Sequence, residues 1–181
     1  MIEQTDLNKL KYPIGQFIFN GNITDESRKN FIKEIELLPG KLKKAVAGLN
    51  NEQLDTPYRK DGWTVRQVIH HIPDSHINAY VRFKLALTED QPTIKTYEEN
   101  EWAKLQDYYQ TPIEVSLALT EAIHTRWIIL LNSLEENNFK KKLKHPDWGL
   151  ISLDFIVAQY AWHGKHHTSH ITSLKERMGW K

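Results

Sequence analysis

Apolar residues recur at helical spacing in four long stretches of the chain. Between residues 24 and 49, Phe31, Ile32, Ile35, Leu37, Leu38, Leu42, Val46 and Leu49 fall three or four apart, the period of a helix with one buried face. Thr24 can cap this helix, and Asp25 and Glu26 suit its opening turn. Pro39-Gly40 interrupts the pattern and predicts a kinked helix or two short ones. A second pattern, with Val68, Ile72, Ala79, Phe83 and Ala86 on one face, predicts a helix from about Val65 to Leu87, opened by a capping box of Thr64 and Gln67 and bent at Pro73. The third opens on Thr111-Pro112-Ile113-Glu114, a cap, a first-turn proline and a reaching glutamate. It carries Leu117, Ile123, Trp127 and Leu131 to about Glu135. The fourth follows Ser152, shows the stripe Leu153, Ile156, Tyr160, Ile171, Leu174 and Met178, and stops at Gly179.

The stretches between are polar or irregular. Residues 1–23 read as an irregular arm across a bundle end, with turn signals at Tyr12-Pro-Ile-Gly and Asn20-Gly-Asn. Residues 55–63 have loop composition. Residues 88–110 form a long crossover with one short helix over Glu98 to Asp107. The run Lys140-Lys-Lys-Leu-Lys144 reads as a solvated face, followed by a turn at His145-Pro-Asp-Trp-Gly, and no stretch reads as a strand. The predicted fold is all-α: one domain over residues 1–181, a four-helix bundle with a long crossover connection.

Composition narrows the function. With 181 residues, 40% hydrophobic content and a formal net charge of +1, the chain can bury a sizeable core and offers no broad electrostatic case for nucleic acid or an anionic membrane. It contains no cysteine, so disulfides and a cysteine nucleophile are excluded and any metal ion must be held by nitrogen and oxygen. The first residues lack the basic start and apolar run of a signal peptide, and no stretch of 18 residues is apolar throughout. A soluble cytoplasmic protein is expected.

Four of the nine histidines lie within residues 163–170. His163 and His167 stand one helical turn apart in the middle of the apolar stripe of the fourth helix, where two imidazoles are costly unless something binds them. His166 falls off that stripe and His170 on its edge. On the second helix, projection puts His70 opposite the apolar face, towards solvent. His71 lies on a polar seam with Gln67, Asp74, Ser75, Asn78 and Arg82, whereas His76 lies inside the apolar arc, where a hydrogen-bonded core histidine is the ordinary outcome. His71 is the favoured partner of the His163/His167 pair, with His76 the alternative.

Several stretches together resemble the YfiT branch of the DinB superfamily: Tyr12-Pro-Ile-Gly, Asp55-Thr-Pro-Tyr-Arg59, Gly62-Trp-Thr-Val-Arg-Gln-Val-Ile-His-His71, Arg82-Phe-Lys-Leu-Ala-Leu-Thr-Glu89, the histidine-rich final helix and Met178-Gly-Trp. The resemblance covers nearly the whole chain. It implies a DinB-type four-helix bundle with one divalent ion, zinc first and nickel second, held by His71, His163 and His167. His170 stands where many relatives have glutamine. The resemblance further implies a metal-dependent hydrolase or, alternatively, a thiol S-transferase using a low-molecular-weight bacterial thiol, in either case acting on a small molecule and assembled as a homodimer.

Three histidines leave coordination positions open, the mark of a catalytic ion. Asp74 is a candidate to accept a ligand imidazole's second proton, and Glu98, Glu99 and Glu101 are candidate bases if the crossover folds over the pocket. Arg82 and Asn78 are candidates to bind an anionic part of a substrate. Phe17, Phe19, Trp102, Tyr108 and Tyr109 are candidates to cover a dimer interface. A non-catalytic bundle, with a structural ion or none, is the remaining reading.

Overall fold

The computed structural model describes residues 4–21 and 23–180. Helix α1 (Gln4–Lys11) is followed by the long helix α2 (Asp25–Val46), the single turn α3 (Asn51–Leu54) and the long helix α4 (Val65–Thr88). The crossover carries two single turns, α5 (Glu99–Trp102) and α6 (Asp107–Gln110). Helix α7 (Ile113–Asn132), the turn α8 (Glu136–Phe139), a hairpin of β1 (Lys142–His145) and β2 (Gly149–Ser152), and helix α9 (Leu153–Met178) complete the chain. None of these helices is long and apolar enough to cross a membrane.

The bundle is α2, α4, α7 and α9. Each helix packs beside two others, α2 on α9 and α7, and α4 on α7 and α9. The sequence neighbours α2 and α4 therefore stand across a diagonal, as do α7 and α9. That order brings α4 against α9, the two histidine-bearing helices. The core is divided along its length. One apolar cluster holds Ile35, Ala79, Phe83, Trp127, Leu131 and Ile156, and the other holds Leu38, Leu42, Val68, Ile69, Ile72, Ile171 and Leu174. Between them, on α4, α7 and α9, lies a layer of buried histidines.

Local chemistry fixes the helix ends. Thr24 accepts from the Ser27 amide and Thr64 from the Gln67 amide, each in a reciprocal capping box, and the Ser152 hydroxyl accepts from the Phe155 amide. Gly179 ends α9 at φ +65°, a left-handed conformation that favours glycine.

Five expectations are corrected. Helix α2 runs unbroken through Pro39-Gly40, because Leu38 and Leu42 on either side are both fully packed in the core and tertiary burial outweighs the local penalty. Residues 1–23 are not an irregular arm throughout: α1 spans Gln4–Lys11, and the chain after it lies along the side of α9, with Phe17 and Phe19 against Phe155. The basic run is half of a two-stranded antiparallel hairpin, its lysines facing solvent while Leu143 and His145 are buried. Thr111 closes α6 instead of capping α7, which begins at Ile113 after Pro112. Of the aromatic residues expected at a surface, Tyr108 is buried, whereas Trp102 and Tyr109 are exposed.

Candidate metal centre

Helix α4 presents His71 to His163 and His167, which lie one turn apart on α9. The Nε2 atoms of His71 and His163 stand 3.3 Å apart. Ring centroids are 4.7 Å apart for His71–His167 and 4.4 Å for His163–His167. One ring nitrogen from each of the three lies within 4.8 Å of the others. A tetrahedral ion with metal–nitrogen bonds of about 2.0–2.1 Å holds its ligand nitrogens about 3.3 Å apart, so the His71–His163 separation suits a shared ion.

All three rings are buried. Burial holds His71 and His167 well below the ordinary histidine range and His163 at about 3, with repulsion from neighbouring imidazoles adding to the effect. Three neutral nitrogen donors are the form in which histidine binds metal. Among the described residues the Nδ1 atoms of His71 and His167 have no hydrogen-bond partner; that of His163 lies 3.1 Å from His76 Nε2.

The triad forms the floor of a cleft of about 610 Å³. Trp63 covers one flank, 4.6 Å from His71 and nearly parallel to His167 at 6.1 Å. Tyr12, Tyr58 and Arg59 line the cleft as well, as do Tyr97, Glu98 and Glu99 of the crossover. Arg82 also lines the cleft and is held by a bond from its guanidinium to the Lys95 carbonyl at 3.0 Å.

The other residues singled out from the sequence are distributed as follows. His70 does not face solvent. It is buried, with Nδ1 2.7 Å from the Ser116 hydroxyl and its ring edge-on to Tyr108, because α6 and α7 cover the side of α4 that a single-helix projection leaves open. Asp74 does not meet His71: its carboxylate accepts the Tyr108 hydroxyl at 2.6 Å, and burial raises its pKa. The Asn78 amide donates to the backbone of Asp74 and does not line the cleft. Glu98 and Glu99 face the cleft, while Glu101 pairs with Lys104. His166 stacks on Trp162 at 4.3 Å, and His170 stacks on Tyr58 at 3.9 Å while donating to the Lys11 carbonyl at 3.1 Å.

Sequence reasoning missed His124. It is fully buried and stacked on His76 at 4.9 Å. The signal was its place three and seven residues before Trp127 and Leu131 on the apolar face of α7. It also missed Trp63, the aromatic wall of the site.

The family model of the DinB superfamily matches residues 34–171. The chain belongs to the DinB superfamily. A relative from Bacillus cereus (strain AH820), named "Putative metal-dependent hydrolase", is 54% identical over 174 residues, covering 96% of this chain and all of the relative. A relative of the same name from Bacillus anthracis (strain A0248) is 54% identical with the same coverage. Among solved structures, YfiT from Bacillus subtilis, described as a probable metal-dependent hydrolase with an unusual four-helix bundle topology, superposes with a TM-score of 0.93 at 46% identity, covering 96% of this chain and 99% of YfiT.

Proposed function

We propose that His71, His163 and His167 hold one divalent ion, zinc in the first place and nickel in the second, and that the protein is a hydrolase of a small-molecule ester or amide. The observation that carries this reading is the convergence of three neutral imidazoles, two of them 3.3 Å apart at Nε2, on the floor of an open cleft. The names of the relatives support it. A bound ion would supply a Lewis acid able to bring the pKa of a coordinated water down to about 7.

The chain's own groups supply the rest. Trp63 shields the histidines from bulk water on one side, which strengthens electrostatic interactions within the cleft. Glu98 and Glu99 of the crossover, with Asp61 and Asp147, are the carboxylates that line the cleft and are available to take up a proton there. Arg82, anchored by Lys95, presents a fixed positive charge to a carbonyl or carboxylate oxygen of the substrate.

The test begins with elemental analysis of protein purified without a histidine tag or nickel column, where near-unit zinc or nickel is expected. The loaded protein is then offered a panel of esters and amides in buffer alone, and an electrophile panel with and without small bacterial thiols. Hydrolysis in buffer that is lost in His163→Ala supports the proposal. Consumption of an electrophile that needs thiol and is lost in the same variant overturns it in favour of thiol S-transfer, and absence of metal after reconstitution overturns both.

A further inference from the structure

The histidine layer continues from His163 into the interior, away from the cleft. His163 Nδ1 is 3.1 Å from His76 Nε2, His76 Nδ1 is 2.9 Å from His124 Nε2, and His124 Nδ1 is 2.6 Å from the carbonyl oxygen of Ile35. A carbonyl only accepts, so His124 must carry its proton on Nδ1. A neutral imidazole has one N–H, which leaves His124 Nε2 as a lone pair to be met by a donor. His76 therefore carries its proton on Nδ1, its Nε2 is a lone pair, and His163 carries its proton on Nδ1 in turn. One carbonyl thus assigns the protons of three rings in succession. His163 is left with a bare Nε2, the atom that lies 3.3 Å from His71 Nε2.

Two further observations support the assignment. All three rings are buried, His76 and His124 almost completely, and burial disfavours the charged imidazolium, so each ring carries a single N–H. The anchoring carbonyl is also available for a covalent reason. In an α-helix the Ile35 carbonyl accepts from the amide of residue 39, but residue 39 is proline, which has no N–H. His124 fills the position that Pro39 leaves open on α2.

We infer that His76 and His124 are positioning residues that lock His163 in the Nδ1–H tautomer and so present its Nε2 lone pair to the ion. The last step rests on the proposed metal site; the tautomer assignment does not. Among the described residues His71 and His167 have no partner at Nδ1, whereas the Nδ1 of His163 is held by a hydrogen bond to His76 in the interior. Hydrogen-bonded orientation of a ligand histidine also raises its basicity, and removing such a partner typically costs about 10–100-fold in metal affinity.

The primary test is the nitrogen–proton long-range correlation spectrum of ion-free protein labelled with ¹⁵N at its histidine rings. Rings 76, 124 and 163 are all expected as the Nδ1–H tautomer; a predominantly Nε2–H ring at His163 overturns the inference. These spectra need no ion, so they decide the relay even where zinc fails to bind the parent and the metal proposal falls. The second test compares zinc affinity by competition with a chromophoric chelator. His76→Phe keeps a ring but removes the acceptor, and zinc binding is expected to weaken by about 10–100-fold. His76→Gln, which can place an amide oxygen near the former Nε2, is expected to regain most of that loss. Equal affinity in His76→Phe and the parent overturns the positioning role. If His76→Phe lacks a cooperative unfolding transition, His124→Leu, one ring farther from the ion, is read in its place with the same two outcomes.

Discussion

Gly164 lies directly against Leu38: a Cβ placed on Gly164 would come within 2.6 Å of Leu38 Cδ2 and 3.0 Å of Cδ1. Helices α9 and α2 approach closely here because one of them has no side chain, and the next residue back on α9 is His163. Leu38 is itself buried, so its side chain would have to shift within a packed core. Gly164→Ala is expected to cost about 1–3 kcal/mol through overpacking, read as a lower urea midpoint with an unchanged slope. In a Leu38→Ala background the same Gly164→Ala change should cost less, since the two side chains compete for one volume.

The neighbouring residues His70 and His71 should separate cleanly in metal binding. His71→Ala removes one of three candidate ligands and is expected to abolish tight zinc binding and with it the ion's contribution to thermal stability. His70→Ala loses its bond to Ser116 and lowers the melting temperature, yet keeps the zinc stoichiometry of the parent. Equal zinc content in His71→Ala and the parent would remove His71 from the ligand set.

What the sequence revealed about this fold was its local chemistry. Thr64 with Gln67, Ser152 and Gly179 marked helix ends because caps and stops act within one turn. The His163/His167 pair was legible because both lie on one helix, and His71 because its polar seam borders an apolar face. Where packing between distant segments decides the outcome, the sequence misled: Pro39 reads as a break until the burial of Leu38 and Leu42 is known, and His70 reads as exposed until α6 and α7 cover it. His124 becomes interpretable only when α2, α4 and α7 are together. The β1–β2 hairpin was hidden by its four-residue strands and by the lysines that alternate with its buried residues.

Arg28 and Asp154 form a bidentate ion pair of 2.7 and 3.1 Å between the starts of α2 and α9. Both residues are buried, and the pairing raises the Arg28 pKa. Asp154→Leu alone leaves Arg28 with only the exposed Asp25 as its partner, 2.6 Å from the guanidinium, and is expected to cost about 1–3 kcal/mol. Arg28→Met combined with Asp154→Leu should cost much less than the sum of the single changes. A double-mutant cycle by urea denaturation measures the difference.

The His124 ring makes ion-free stability depend on pH. Burial lowers its folded pKa to about 4, against 6.5 for an ordinary histidine. Above the unfolded value the ring is neutral in both states and no penalty exists. As pH falls from 6.5 towards the folded value, the unfolded chain alone takes up the proton and stability declines, by about 1.4 kcal/mol per pH unit for one proton. His124→Gln should flatten the dependence of unfolding free energy on pH between about 4.5 and 6.5 by close to one proton.

The homodimer implied by the family resemblance is tested by light scattering. The expected species has twice the 21.3 kDa mass of the chain, and a monomer alone at micromolar concentrations would reject the dimer. Trp102, Tyr109 and the outward residues Val115 and Leu119 of α7 are exposed, and Leu119→Lys should shift the mass towards the monomer if that face is covered.

The cleft has a floor and a rim of different origin. His71, His163 and His167 belong to two bundle helices whose spacing is set by a close-packed interior, whereas Tyr12, Tyr58, Trp63, Glu98, His145 and Trp148 around them come from the segment after α1, the loop before α4, the crossover and the hairpin. Loops accept substitution and insertion at little thermodynamic cost, and packed helices do not. Lineages descending from such a scaffold can therefore exchange one substrate for another by rewriting the rim alone, inheriting the reactive centre intact.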